Sequence, residues 1–409
     1  MKYPMILSQF ICTLLLAPVL SSCDASIEPM PPFKGVREKK GEQTGTWHEK
    51  AYATYQVVER LYGVKTGAAA GLFRQNYPIH PGDADASDLW NYDGIVSGIA
   101  GLNSLGYEVD YAAKVENYER YLSNIAPGGW GYASMPGGSG DRYYDDNSIV
   151  GINLVEAYRQ LQNPVYLERC ARIVSFLRSG VDNTFGGGLW WCEQYKNIPG
   201  QENSNKPACA NGFAQWFLLS YYEICPDAEK ASVLSFAQEL YEWVYNNLRD
   251  DRNLYLNQKN VDGTIQDVRW TYNSGAMIAA GLRLYRITGQ HRYLDEAIAT
   301  ADASYDYFTG PKGDIPLSYP LNDPWFNVKL IRAYIELLPE HPACANYIGT
   351  FVSNLGRAWL NGRQTNGLWY EDWSGVPNED GRDDNLLMQD AAIESLCLIA
   401  LYENEHKEQ

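Results

Sequence analysis

The chain between residues 143 and 158 reads YYDDNSIVGINLVEAY, in which an acidic pair is followed at once by a helical pattern. Apolar residues recur there at spacings of three and four, at Ile149, Ile152, Leu154, Val155 and Tyr158. This spacing is typical of an amphipathic helix that buries one face. The stretch therefore predicts a helix whose first turn carries Asp145 and Asp146.

The same periodicity continues along most of the chain from Trp47 onward, and no convincing pair of strands is visible. We predict twelve helices, which begin near Trp47, Leu89, Asp110, Asp145, Pro164, Cys209, Glu229, Thr271, Arg292, Pro324, Cys344 and Asn385. Alternate helices, those near residues 89, 145, 209, 271, 324 and 385, are the more apolar and recur about every 55 to 65 residues. This period predicts an all-α (α/α)6 barrel, a single domain over residues 47–409 with those six helices as the inner ring.

The N-terminus has the features of an export signal. Lys2 precedes an apolar run over residues 4–20, which is too short to span a bilayer as a mature helix. The run ends in Leu20-Ser21-Ser22-Cys23, which resembles a bacterial lipobox. We therefore expect a lipoprotein signal peptide over residues 1–22 and a flexible tether over 23–46 with lipidated Cys23. The protein would be exported and lipid-anchored to a bacterial membrane, at the outer membrane, the cell surface or the periplasmic face.

Charge and composition limit the possible partners. The formal charge is −17, so most of the surface would repel nucleic acid. The 12 Trp and 31 Tyr residues favour a neutral sugar instead, since their rings can stack on sugar faces. Eight cysteines form no CxxC motif, and five scattered histidines suggest no catalytic triad. We expect no metal site and no cofactor.

The loops indicate which face carries the site. Successive helices run antiparallel, so every loop from an outer helix into an inner one emerges on the same face. These loops are long and rich in glycine and aromatic residues, as in residues 128–132, 186–191 and 367–373, whereas the returning turns are short. Long loops cost ordering entropy and are usually kept for function.

Asp145 and Asp146 lie where an inner helix opens onto this face. Glycoside cleavage needs one carboxylic acid to protonate the leaving oxygen and a second carboxylate as nucleophile or base. Adjacent acids disfavour double ionisation, which suits that division of roles. However, Asp and Asn are also preferred helix caps, and residues 383–385 form an equivalent Asp-Asp-Asn run. Composition and spacing alone leave both interpretations open.

Residues 143–158 strongly resemble the signature of glycoside hydrolase family 76, in which two consecutive aspartates open an inner helix. The segments at 187–191, 272–275 and 284–294 are similar to that family too, and the resemblance covers about residues 47 to 403. It implies an (α/α)6 barrel, an endo-α-1,6-mannanase that cleaves mannan backbones with retention, and no metal cofactor. Carried over to this chain, Asp145 would be the nucleophile and Asp146 the acid and base.

The resemblance and the argument from the loops together give the substrate-binding residues. We predict that these are Trp90, Tyr92, Tyr144, Asn147, Trp190, Trp191, Asn211, Tyr272 and Asn273. The expected partner is an α-mannan polysaccharide or oligosaccharide. Contact with a membrane is expected through the lipid anchor only, and we expect a monomer.

Two other functions remain open from the sequence. A lipid-anchored glycan-binding protein without catalysis would carry similar aromatic loops, but two abutting carboxylates would only cost it stability. An unsaturated uronyl hydrolase would share the fold, but its anionic substrate calls for clustered Arg or Lys on the loop face. Transglycosylation uses the same intermediate as hydrolysis, and the sequence does not separate the two.

Overall fold

The computed structural model describes residues 45–377 and 385–407, and these contain twelve α-helices and three small antiparallel sheets. The helices are α1 (Trp47–Tyr62), α2 (Leu89–Ser104), α3 (Tyr111–Glu116), α4 (Tyr144–Leu161), α5 (Val165–Arg178), α6 (Ala208–Tyr222), α7 (Asp227–Leu248), α8 (Thr271–Thr288), α9 (His291–Phe308), α10 (Pro324–Leu337), α11 (Cys344–Asn361) and α12 (Leu386–Lys407). Each begins within two residues of its predicted start. The helical periodicity was therefore a sufficient guide to every helix.

The even-numbered helices form a closed inner ring. Each of α2, α4, α6, α8 and α10 contacts the next even-numbered helix, and α12 contacts α2. The odd-numbered helices pack outside, α5 on α4, α7 on α6, α9 on α8, α11 on α10 and α1 on α12. The predicted (α/α)6 barrel and its division into inner and outer helices are confirmed.

Burial follows the same division. Every residue of α6 except Tyr222 is buried, whereas α9 buries one face, in keeping with its more charged sequence. Close packing within the ring also explains a glycine. A Cβ on Gly275 in α8 would lie 2.8 Å from the backbone of Leu330 in α10. Only glycine lets these two inner helices approach so closely.

Seven short strands correct the prediction that no strands pair. They are β1 (Leu122–Ile125), β2 (Gly129–Tyr132), β3 (Asn205–Pro207), β4 (Gln258–Asn260), β5 (Ile265–Gln266), β6 (Gly310–Lys312) and β7 (Ile315–Ser318). They pair as β1–β2, β3–β4–β5 and β6–β7, all antiparallel and all in outer-to-inner loops. The strands have two to four residues each and hold many Gly, Asn and Gln residues. Such segments are too short to show the alternation by which a strand is recognised.

Backbone hydrogen bonds tie the inner helix starts to neighbouring loops. The first N–H group of α2 (Leu89) donates to the Ser134 carbonyl at 2.8 Å, that of α4 (Tyr144) to Trp191 at 2.9 Å, and that of α6 (Ala208) to Asn257 at 2.8 Å. These groups lack partners within their own helix. The loops satisfy them and are thereby fixed over the barrel mouth.

None of the described helices is long and apolar enough to cross a membrane. The predicted signal peptide, Cys23 and most of the tether lie outside the described residues, as do Asp383 and Asp384. Thr46, the last tether residue, caps α1: its hydroxyl accepts from Glu49 N, while the Glu49 carboxylate accepts from Thr46 N at 2.7 Å.

Candidate active site

A cleft of about 380 Å³ opens at the N-terminal ends of the inner helices α2, α4, α6 and α8. The residues that line it are Asp88, Trp90, Ser134, Tyr143, Asp145, Asp146, Trp191, Pro207, Cys209, Asn257, Gln258 and Tyr272. They come from helix starts and from the outer-to-inner loops, so the cleft lies on the face that the loop lengths predict. Ser134, Trp191 and Asn257 are also the residues whose carbonyls hold the helix starts.

Asp145 and Asp146 occupy the first turn of α4, and both line the cleft while nearly buried. The Asp145 carboxylate is held firmly. Its Oδ2 accepts hydrogen bonds from Trp191 Nε1 at 2.9 Å and from the Cys209 thiol at 3.3 Å, while its Oδ1 accepts from Asp146 N at 3.1 Å. No other residue in the described part of the chain hydrogen-bonds to the Asp146 carboxyl. One carboxyl is therefore anchored and its neighbour is open to the cleft.

The pKa values of Asp145 and Asp146 are shifted by different neighbours. Burial raises the pKa of Asp145, but the hydrogen bonds from Cys209 and Trp191 oppose the rise because they stabilise the charged form. Burial also raises the pKa of Asp146, and there the negative charges of Asp145, Asp93 and Asp88 add to it. Asp145 is thus the group better suited to be ionised, and Asp146 the group better suited to carry a proton.

Three of the predicted aromatic residues line the cleft. They are Trp90 from α2, Trp191 from the loop before β3, and Tyr272 from α8. Tyr272 stacks on Phe326 with ring centroids 4.2 Å apart, and Trp90 lies 4.8 Å from the Trp325 ring. These rings are therefore fixed by aromatic packing behind them, which gives the cleft rigid apolar walls.

Six of the predicted substrate contacts are buried and do not line the cleft: Tyr92, Tyr144, Asn147, Trp190, Asn211 and Asn273. The three aromatic residues among them point into the walls. Tyr92 donates its hydroxyl to the Lys114 carbonyl at 2.8 Å, and Tyr144 stacks on Phe176 of α5 at 4.7 Å. Trp190 donates to Asp182 at 2.8 Å on the far side of the loop from Trp191.

Two of the asparagines hold loop backbone. Asn147 accepts from Tyr132 N at 2.7 Å and donates to Tyr132 O at 2.9 Å. Asn211 likewise accepts from Leu189 N at 2.7 Å and donates to Leu189 O at 3.1 Å. The third asparagine, Asn273, is buried without a hydrogen-bond partner for either side-chain atom. None of the three lines the cleft, and the amides of Asn147 and Asn211 support it from behind.

Seven residues of the cleft were not among the predicted site residues: Asp88, Ser134, Tyr143, Pro207, Cys209, Asn257 and Gln258. Asp88 carried a usable signal, since it directly precedes an inner helix on the loop face. Cys209 follows the start of α6 by one residue, as Asp145 follows that of α4. Asn257 and Gln258 lie at β4, whose position no sequence pattern indicated.

The lining is acidic. Asp88, Asp145 and Asp146 contribute three carboxyl groups, and none of the lining residues in the described ranges is Lys or Arg. The three carboxyls also stand at helix N-termini, where the helix dipole favours negative charge. The cleft is therefore suited to a neutral ligand with hydroxyl donors and apolar faces.

Taken together, a closed (α/α)6 ring and an adjacent aspartate pair at its mouth define the class of barrel glycosidases. The family model for glycosyl hydrolase family 76 matches residues 109–324, more than half of the chain. The chain belongs to glycoside hydrolase family 76, which confirms the resemblance in the sequence.

Solved structures share the fold over nearly the whole chain. A family 76 mannosidase from Bacteroides thetaiotaomicron superposes with a TM-score of 0.77 at 22% identity, covering 88% of this chain and 99% of that one. An inactive variant of an α-1,6-mannanase from a Salegentibacter species, with two consecutive aspartates replaced by alanine, was solved with α-1,6-mannotetrose. It gives a TM-score of 0.69 at 23% identity, covering 88% of this chain and all of that one.

A curated relative is the mannan endo-1,6-α-mannosidase of Candida albicans, 24% identical over 265 residues. The match spans 61% of this chain and 54% of the relative, so this chain covers about half of that protein's length.

Proposed function

We propose that this chain is an endo-α-1,6-mannanase that hydrolyses α-1,6-linked mannan backbones. The observation that carries the proposal is the adjacent pair Asp145 and Asp146 in an acidic, aromatic-walled cleft of a family 76 barrel. The names of the relatives support the substrate, since the Salegentibacter enzyme was solved with α-1,6-mannotetrose and the Candida albicans relative is an endo-1,6-α-mannosidase. The paired replacement in that inactive variant supports the choice of an adjacent pair.

The contacts of the pair suggest how the roles divide. Asp145, held ionised by Trp191 and Cys209, attacks the anomeric carbon as the glycosidic bond breaks, and the leaving oxygen takes the proton of Asp146. Asp146, now a carboxylate, then removes a proton from water, and the resulting oxygen attacks the same carbon and releases Asp145. Each step inverts the anomeric centre, so the product retains the configuration of the substrate.

The lining argues against the two alternatives from the sequence. An unsaturated uronyl hydrolase binds a carboxylate, which three carboxyl groups and no basic side chain would repel. A protein that only captures glycans has no use for two buried adjacent acids, whose ionisation is opposed by burial and by their mutual repulsion. Catalysis on a neutral glycan accounts for both features.

The proposal extends to location. The lipobox-like Leu20-Ser21-Ser22-Cys23 supports export and attachment to a bacterial membrane through Cys23. A mannan-degrading enzyme on a lipid anchor would act as a monomer on polymer outside the cytoplasm.

The test is incubation of residues 24–409 with linear α-1,6-mannan and, separately, with an unsaturated uronide oligosaccharide. We expect a ladder of mannose oligomers from the first and no product from the second, with NMR of the first-formed reducing ends showing the α anomer. Binding of mannan without cleavage would favour the capture protein, and release from the uronide would favour the hydrolase of anionic sugars.

A further inference from the structure

Asp88 is a third carboxylate of the cleft, and it lies outside the aspartate pair. It is the N-cap of α2, where its Oδ1 accepts hydrogen bonds from Asn91 N at 2.9 Å and from Asn91 Nδ2 at 2.8 Å. Its own N–H group donates to Gln75 at 3.4 Å. Asp88 is therefore held through one carboxylate oxygen and through its backbone N–H group.

The second carboxylate oxygen of Asp88, Oδ2, takes no part in the helix cap. Asp88 Oδ2 makes no hydrogen bond or ion pair with any residue of the described ranges, although the half-buried side chain lines the cleft beside Trp90 and Ser134. Since two donors fix Oδ1 at the helix start, Oδ2 is the oxygen open to the cleft. An ionised carboxylate oxygen can accept two hydrogen bonds.

Capping of α2 alone does not require a carboxylate at position 88. Ser, Thr or Asn would cap α2 about as well as Asp. The negative charge of Asp88 is one of the charges that raise the pKa of nearby Asp146, which suits the role of that residue as the acid. That effect needs the charge but does not need an oxygen open to the cleft, so the free Oδ2 calls for a further role.

We propose that Asp88 binds a pair of sugar hydroxyls through its free oxygen, in a subsite next to the aspartate pair. The proposal rests on the function proposed above and names how the cleft recognises the sugar beside the reacting one. Trp90, two residues after Asp88 on α2, supplies an apolar surface for the face of the bound sugar ring. Ser134 supplies a further hydroxyl. A neutral sugar offers both the donors and the apolar face, whereas a uronate would meet like charge.

This arrangement predicts a role in binding that differs from that of the pair. Asp88 Oδ2 is held before the ligand arrives, so little side-chain entropy is lost when hydroxyls bind. Hydrogen bonds to a charged acceptor are about twice as strong as neutral ones. Its loss should therefore weaken oligosaccharide binding while leaving the fold in place.

The experiment measures the Kd of α-1,6-mannotetraose by calorimetry in an Asp146→Asn background, which prevents turnover. Asp88→Asn keeps the cap but replaces the free oxygen, and Asp88→Ser keeps the cap but is too short to reach the sugar. Asp262→Asn is the matched control, since Asp262 accepts from Thr264 N at 2.9 Å in the β4–β5 turn and does not line the cleft.

We expect Kd to rise about tenfold for Asp88→Asn and up to about 100-fold for Asp88→Ser, with Asp262→Asn unchanged. The thermal midpoints of all three should match the background, because each keeps its turn or cap. Unchanged Kd in both Asp88 variants would show that Asp88 is a cap only and would overturn the proposal. Failure of the background protein to bind mannotetraose, with no cleavage of mannan by the wild type, would instead remove the proposed function and this subsite with it.

Discussion

At the scale of single residues, the asymmetry between Asp145 and Asp146 comes from their neighbours. Asp145 Oδ2 accepts two hydrogen bonds, from Trp191 and Cys209, whereas no other described residue hydrogen-bonds to the Asp146 carboxyl. Burial raises the pKa of the Cys209 thiol well above its ordinary value, so the thiol keeps its proton and acts as a donor. A cysteine here thus serves to keep the nucleophile ionised.

This predicts a pH effect for Cys209→Ala. Removing a donor to the charged form raises the pKa of Asp145, so the acid limb of the kcat/KM profile should move to higher pH. Burial already raises the pKa of Asp145 to about 6. Below that pH we expect kcat/KM to fall about fivefold further in the variant, from the loss of about 1 kcal/mol of hydrogen bonding, with little change on the alkaline side.

Cys225→Ala is the matched control, because Cys225 is buried in the turn that follows the far end of the same inner helix and does not line the cleft. Its profile should overlay that of the wild type. An equal loss of activity at every pH in Cys209→Ala would mean that the thiol only fills space.

The sequence predicts where each inner helix begins, but it does not predict which way each side chain points. Tyr92 and Asn211 lie on inner helices and still do not line the cleft. Asp145 and Asp146 could be placed because the helical period fixes where α4 begins. Trp190 and Trp191 are consecutive and chemically equal, yet one is buried against Asp182 and the other lines the cleft. Their directions are decided by backbone hydrogen bonds of Trp191 to Asn205 and Tyr144, which no local pattern contains.

At the scale of elements, one device recurs at three inner helices. Asn147, Asn211 and Gln389 each accept from the N–H and donate to the C=O of a single loop residue, which is Tyr132, Leu189 and Trp369 in turn. These loop residues lie in the glycine-rich segments that the sequence analysis picked out. The repeat of the inner helices is therefore accompanied, at these three, by a repeat of the same contact between helix and loop.

We expect these hydrogen bonds between inner helix and loop to contribute measurably to the free energy of unfolding. In Asn211→Leu the Leu189 N–H and C=O groups lose their buried partners, so we expect the free energy of unfolding to fall by about 2 to 4 kcal/mol. Asn273→Leu is the contrasting variant, since the Asn273 amide is equally buried but has no partner. It should be neutral or slightly stabilising. Urea unfolding measures both, and equal destabilisation of the two would contradict the role given to the Asn211 contacts.

Some features of the elements could not be predicted. The strands β3 and β4 carry Pro207 and Gln258 to the cleft, but their three residues each show no strand pattern. They pair because α6 and α8 bring the two loops side by side. That proximity is a product of the closed ring and has no counterpart in either segment alone.

At the scale of the whole molecule, the barrel holds carboxyl groups that its interior does not favour as anions. Burial is the first cause that raises the pKa of Asp93, Asp145, Asp146 and Asp390 on the inner helices α2, α4 and α12. Asp390 lies against Gly94 and Gly98 of α2, where a Cβ would come within 3.0 and 2.4 Å of its carboxylate oxygens. The inner ring is thus built around acids that bind protons better folded than unfolded.

This predicts how stability depends on pH. A carboxyl whose pKa is raised on folding contributes stability below its ordinary value near 4, and that contribution is lost as pH rises through the raised value. The charge of −17 adds repulsion in the same direction. We expect the thermal midpoint to be several degrees higher at pH 5.5 than at pH 8. Asp390→Asn should reduce the difference, and a higher midpoint at pH 8 would contradict the account.

If Asp145 and Asp146 together cleave α-1,6-mannan, single variants of each should slow the release of oligosaccharides from the polymer. Asp145→Asn and Asp146→Asn should each lose at least about 100-fold in kcat. Both should keep their thermal midpoints, because an amide has nearly the shape of a carboxyl and the N-cap of α4 is Tyr143, not either aspartate. Asp262→Asn and the double variant Asp383→Asn/Asp384→Asn should keep the wild-type rate. Full activity in either variant of the pair, or loss of folding in place of loss of rate, would contradict the account.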